Sequence, residues 1–455
     1  MAVATAALAY YALLCAKSHT WIFVSADSAD WLTTSKLWIV PQPYGSPLFT
    51  LLMKMFYPLD GEVCAIAATL VMSCLPSAIT VATTYNITLL HTNNRKLAYI
   101  SALILVGAGV FLTQSTVLEE YALTTMFLTL GLYYRKVNKT RLAWTMWGLG
   151  TAVHIFVVPI AAFVALYDRK HKRVDKRSLA CYAITGLLPY IMVPILMALP
   201  TPRWYAGELS LHNLKEYLTS TGSAIVGTLS IFEAPFRVLT LAKIILASFG
   251  VSLILLTHIL RCKGFRTETI IIAVVLWYVL TCLDVCSWTF LTLAAPIVAY
   301  VSATSLEHKP LDKYVTACAV VLIVVNAFFL NAWVLSSASP TPREVTSELK
   351  SLPDGATVAV TSGPYSMESY YVVSCGKRLT VLSCPTPYEL TDVLDEIEPY
   401  NTYYVGENTD VLASHLQLDQ IGKHTYLITG KSYESMPKQS WSWSDKVDEI
   451  VRGYR

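Results

Sequence analysis

"LAWTMWGLGTAVHIFVVPIAAFVALY" runs from Leu142 to Tyr167 without a charge, yet Arg141 precedes it and Arg169 and Lys170 follow close behind. Lys and Arg beside apolar membrane segments mark the cytoplasmic side. Basic residues at both ends therefore require an even number of crossings. A full span takes about 20 residues, and 26 are too few for two of them. The stretch predicts two short helices meeting near Gly150–His154. Their turn must be buried in protein or line a cavity, because lipid offers its backbone no hydrogen-bond partner.

The surroundings agree with a membrane setting. The chain has 455 residues, 54% hydrophobic and only 14% charged, where soluble domains carry about 25% charged residues. Its mean hydropathy is positive. One soluble core cannot hide that much apolar surface, so the class is polytopic membrane protein. Residues Ala2–Ala16 are apolar, with no basic residue before them and no small-x-small site after them, and read as a retained first helix. Apolar runs predict further helices near 62–90, 97–113, 118–134, 178–199, 237–260, 268–284, 286–304 and 313–336. With the short pair, the sum is about eleven membrane helices. The basic groups at 95–96, 135–141, 169–177, 261–266 and 309–313 face the cytoplasm in this scheme. The loops 24–60 and 200–235 and everything after 336 then fall on the outer or lumenal side.

Charge divides the chain at the same point. Residues 337–455 hold 10 Lys/Arg against 16 Asp/Glu, whereas residues 1–336 hold 24 against 15. The tail reads as an acidic, water-soluble domain, and the basic excess of the remainder reports orientation, not nucleic-acid binding. Within the tail, 356–361, 379–383, 401–407 and 424–429 are β-branched strand patterns, and 387–397 is helical, which predicts a small α/β domain with a mostly parallel sheet. No Gly-rich dinucleotide or phosphate loop occurs in it. Ten cysteines show no CxxC or zinc spacing, and only Cys375 and Cys384 are placed to pair in the tail.

Ionisable residues at membrane depth are costly and mark function. Asp27 and Asp30, in "VSADSADW", are three residues apart and share a helical face. Such a pair can raise one pKa into the range of a general base or hold a divalent cation such as Mg or Mn; it can equally be a polar loop. Gln114, Glu119, Glu120 and Tyr121 lie together in a strongly apolar context, which suits either a solvated rim or a polar cavity. His154 sits at the predicted short-helix turn, as a packing residue or a ligand. Arg203, Trp204 and Lys215 occupy the loop 200–218, where they would clamp a phosphate or lie among headgroups. Asp284 reads as a turn residue.

These elements, in this order, resemble the GT-C superfamily of membrane glycosyltransferases. More narrowly they resemble the protein O-mannosyltransferase-like family, whose first outer loop reads D-S-G-E followed by H-P-P-G-Y-P-L. Asp27-Ser28-Ala29-Asp30 and Gln42-Pro43-Tyr44-Gly45-Ser46-Pro47-Leu48-Phe49 match that loop, with Asp30 for the family's Glu and Gln42 for its His. Gln114, Glu119 and Tyr121 match a Q-x-x-x-x-E-x-Y element, Gly148–His154 with Pro159 a glycine-rich segment, and Tyr190, Pro194, Pro202 and Trp204 a third; Leu196 stands where a base is frequent. The matches fall within about the first 220 residues.

The resemblance implies a polyprenyl- or dolichyl-phosphate-sugar donor, a protein, lipid or glycan acceptor, and inverting transfer of a hexose such as mannose at the extracytoplasmic face. It implies Asp27 as the catalytic base, with Asp30 orienting the acceptor or a cation. The donor cavity would be lined by Gln114, Glu119, Tyr121, His154, Arg203, Trp204 and Lys215. The membrane would be a prokaryotic plasma membrane or the endoplasmic reticulum. The rival reading from the residues themselves is a transporter or lipid flippase, which predicts charges at the bilayer midplane and inverted repeats; neither is seen in the sequence.

Overall fold

The structure is a computed structural model. It describes residues 1–18, 26–36, 46–59, 61–171, 174–191, 245, 249, 266–281, 289–307, 312–336, 342–360, 375, 377, 379–383, 399–406, 412 and 416–431. Helices follow the apolar runs: α1 (Ala2–Ser18), α4 (Gly61–Thr69), α5 (Leu75–Thr92), α6 (Arg95–Gly107), α7 (Gly109–Thr116), α8 (Glu120–Lys136), α9 (Thr140–Val153), α10 (Val157–Lys170) and α11 (Lys176–Tyr182). Later come α12 (Arg266–Thr281), α13 (Leu291–Thr304) and α14 (Asp312–Ser336). Two shorter helices, α2 (Ala26–Lys36) and α3 (Pro47–Met53), occupy the first predicted outer loop.

A π turn at Leu70–Cys74 joins α4 and α5 into one 32-residue helix. Among the described residues, this helix and Lys313–Leu330 are long and apolar enough to cross a membrane. The pair α6 and α7 makes a third if its 68° bend is counted as one span. The predicted span at 237–260, apart from 245 and 249, and residues 192–199 of the span at 178–199 lie outside the described residues, which therefore leave the expected eleven untested.

The stretch 142–167 forms two short helices, α9 and α10, with a turn at His154–Phe156. Fourteen residues rise about 21 Å, too little to span, and the turn is buried: His154 is 1% exposed. Close approach keeps it there. A Cβ on Gly148 would stand 2.0 Å from Thr185 Oγ1, and one on Gly186 would stand 2.9 Å from the Gly148 backbone.

Local chemistry sets the connections. Asn93 ends α5 in the left-handed region at φ 50, and Asn94 opens α6 by accepting from the Lys96 and Leu97 amides. Along α5, the Thr80, Thr84 and Thr88 hydroxyls each bond the carbonyl four residues back, so these polar groups are satisfied within an apolar layer. At the opposite ends of the helices, Arg135 of α8 grips buried Asp168 of α10 through two nitrogens, at 2.5 and 3.2 Å. Lys136 pairs with Glu268 of α12 at 2.7 Å and donates to Tyr300 of α13, whose hydroxyl meets His91 Nδ1 of α5 at 3.0 Å. The basic group that the sequence treats only as an orientation signal therefore also ties five helices together.

After α15 (Pro342–Ser351) come five strands: β1 (Thr357–Val360), β2 (Thr380–Ser383), β3 (Thr402–Val405), β4 (Leu416–Gln420) and β5 (Thr425–Lys431). The sheet order is β2-β1-β3-β5-β4. β1 runs parallel to β2 and β3, while β5 runs antiparallel to both β3 and β4. The expected mostly parallel sheet is thus a mixed one. The strand 416–420, Leu-Gln-Leu-Asp-Gln, has no β-branched residue to announce it, and the short β4–β5 connection permits only an antiparallel hairpin. Glu348 of α15 accepts from the Lys423 and His424 amides and from the Thr425 hydroxyl, fastening the helix to that hairpin. The helical pattern 387–397 and Cys384 lie outside the described residues; Cys375 is buried.

Candidate active site

The α7–α8 turn, residues 117–119, brings the carboxylates into the protein. Glu119 has extended backbone just before α8, and Glu120 is the first residue of that helix. Both are buried, at 5% and 1% exposure. The solvated-rim reading of these two acids is therefore overturned: they line the interior. A carboxylate at the first turn of a helix is favoured by the helix dipole.

Helix α2 closes over this turn. Ser28 Oγ donates to the Leu118 carbonyl at 3.1 Å, and Trp31 Nε1 donates to Glu120 Oε2 at 2.9 Å. Trp31 is fully buried and meets Phe49 of α3 edge-on at 4.5 Å. Asp27 and Asp30 lie on this same helix, Asp27 one helical turn before Trp31; their side chains lie outside the described residues. Lys54 donates to the Thr34 carbonyl near the end of α2, and Lys36 to the carbonyls of Tyr57 and Leu59, so α2 and the segment after α3 hold each other.

From the other side comes the α9–α10 turn. His154 Nε2 stands 3.6 Å from Glu120 Oε1. The Phe156 amide donates to His154 Nδ1 at 3.3 Å. Nδ1 is therefore the acceptor, and in the neutral ring the proton sits on Nε2, facing the carboxylate. The ring is held by Phe156 stacked at 4.6 Å, Tyr121 at 5.2 Å and Phe290 edge-on at 5.9 Å. An indole donor bonds one oxygen of the Glu120 carboxylate and an imidazole faces the other, within a buried aromatic box. Such a group can orient a hydroxyl, accept a proton or stabilise positive charge.

Of the residues singled out by sequence, Tyr121 and His154 meet here, and Glu119 stands beside them on the turn. Gln114 is buried on α7, its Oε1 without a hydrogen-bond partner among the described residues. Arg203, Trp204, Lys215 and Asp284 lie outside the described residues. The structure adds Trp31 and Phe290, and brings in Glu120, which the sequence notes beside Glu119 but the resemblance leaves out of the donor cavity. Glu120 is legible as a second acid in an apolar run, but nothing in the sequence says which of two adjacent acids meets the histidine. No group of three His, Cys, Asp or Glu side chains able to hold a metal occurs among the described residues.

No family model matches the sequence, and no curated protein matches it. Solved structures do match its shape. ArnT from Cupriavidus metallidurans bound to undecaprenyl phosphate aligns over 93% of this chain and 98% of its own, at 9% identity and a TM-score of 0.64. The same protein in its apo state aligns over 94% and 100%, at 9% identity and a TM-score of 0.61. The chain has the ArnT fold.

Proposed function

We propose that this protein is a membrane glycosyltransferase that moves a sugar from a polyprenyl-phosphate donor to an acceptor hydroxyl. The observation that carries this reading is the docking of α2, bearing Asp27 and Asp30, onto the buried Glu119–Glu120 turn through Ser28 and Trp31. The ArnT fold supports it, since ArnT was crystallised with a lipid phosphate of the required class.

In this reading Asp27 takes the acceptor hydroxyl proton as the oxygen attacks the anomeric carbon. The bond from that carbon to the phosphate oxygen breaks, the configuration inverts, and polyprenyl phosphate leaves with the electron pair. Asp30 orients the acceptor. Gln114, Glu119, Tyr121 and His154, with Glu120, and the residues Arg203, Trp204 and Lys215 serve together to bind the donor sugar and phosphate. The transferred sugar is a hexose such as mannose, the carrier polyprenyl or dolichyl phosphate. Residues 1–336 form the catalytic membrane domain and 337–455 an extracytoplasmic domain that faces the acceptor, in the manner of the O-mannosyltransferase-like enzymes.

The test uses purified full-length protein in nanodiscs with a panel of polyprenyl-phosphate sugars labelled in the sugar. Turnover of one donor, with release of free polyprenyl phosphate and at least a hundredfold loss in Asp27→Asn, is the expected result. Folded protein that neither binds nor turns over any donor in the panel overturns the reading and leaves transport as the successor.

A further inference from the structure

The turn carrying Glu119 and Glu120 hangs from α7, and α7 hangs from a break. Between α6 and α7 the chain turns through 68° at Ala108, whose backbone is extended at φ −67, ψ 115. Sharp kinks in membrane helices have identifiable causes, and no proline stands here. Helix ends leave carbonyls without intrahelical donors, at a cost that lipid does not relieve. One such carbonyl, that of Gly107, is met by Asn326 Nδ2 of α14 at 2.5 Å. Asn326 lies on a helix whose neighbours Val324, Val325, Phe328 and Phe329 are exposed in the manner of lipid-facing residues. A side-chain amide in such a run is costly unless it has a task.

The fit at the break is close. A Cβ on Gly107 would meet Ile323 Cγ1 at 3.1 Å and the Ala319 carbonyl at 3.2 Å; one on Gly109 would meet the Asn326 amide at 3.3 Å. The two glycines let α14 approach until its asparagine reaches the open carbonyl. From Gly109 to Thr116 is eight residues, about 12 Å of helix. A few degrees of change at the break therefore shifts the carboxylates at its far end by roughly an ångström, enough to matter for catalysis.

We infer that Asn326 is a positioning residue: by bonding the Gly107 carbonyl it sets the α6–α7 bend and so places Glu119 and Glu120 beneath α2. Its catalytic consequence rests on the glycosyltransferase reading; its structural consequence does not. The experiment measures both in full-length protein. In Asn326→Leu, with the same branched side-chain skeleton but no donor, hydrogen exchange over residues 108–121 is expected to quicken at least tenfold while that of 75–92 is unchanged. The kcat falls at least tenfold, and donor KM changes less than twofold. Gly107→Ala, pressing on the break from the other side, reproduces the pattern, and Val325→Ala, facing outward on the same helix, does not. Unaltered exchange over 108–121 in a folded Asn326→Leu protein overturns the inference whatever the substrate is. Quickened exchange with full kcat overturns its catalytic part. Wild-type protein inactive on every donor counts against the proposed function alone, since the exchange result stands without it.

Discussion

The contact between Trp31 and Glu120 allows a quantitative prediction. Trp31→Phe removes the indole N–H that donates to Glu120 Oε2 and keeps an aromatic ring against Phe49. A hydrogen bond to a charged acceptor contributes roughly 1.5–3 kcal/mol. The smaller ring leaves about 40 Å³ of void, which adds roughly 1 kcal/mol. The single substitution is therefore expected to cost about 3 kcal/mol. Glu120→Gln keeps an acceptor but makes the bond neutral, worth about 1 kcal/mol, while relieving the burial of a charge. These effects oppose, and the net change is expected near zero. In the double variant the tryptophan change loses only the neutral bond and the void, about 2 kcal/mol in sum. The coupling is then about 1 kcal/mol, beyond the 0.3–0.5 kcal/mol within which independent sites add. Equilibrium unfolding of the four proteins in mixed detergent micelles measures it. A coupling indistinguishable from zero, with both single variants folded, would refute the claim that this bond docks α2.

The other predictions concern how the body is held. Arg135→Ala leaves Asp168 buried without its partner, and breaking such a pair costs about 3–5 kcal/mol; Asp168→Asn in the same chain should recover most of the loss of thermal stability. Glu348→Ala removes the acceptor for three donors of the β4–β5 hairpin, so limited proteolysis near 420–425 should quicken several-fold while the helical body stays protected. Asn94→Ala strips the cap of α6 and should lower stability by about 1 kcal/mol, read in the same unfolding assay.

Much of this molecule is written in local pattern. The apolar runs and their basic flanks placed α5, α8 and α14, and the uncharged stretch 142–167 required a pair of short helices with His154 at a buried turn. These features follow from segment length and charge sign, which are properties of a single stretch. The sheet was partly legible: β1, β2, β3 and β5 announce themselves through β-branched residues, whereas β4, which has none, is held as a strand by pairing with β5.

What only the tertiary structure decided is which distant residues meet. Trp31 and Glu120 are 89 positions apart, and Asn326 and Gly107 are 219 apart. The apolar run 97–113 reads as one helix, and the structure breaks it at the Gly-Ala-Gly of 107–109. Its bend, though, depends on an asparagine from another helix arriving at the open carbonyl. Likewise two adjacent acids at 119 and 120 look alike on paper. The helix start at Glu120 turns one of them towards His154 and the Trp31 indole. Sequence pattern governs where helices form because burial and hydrogen bonding act along the chain. The geometry of a site depends on packing between elements, where shape and the pairing of every buried polar group decide together.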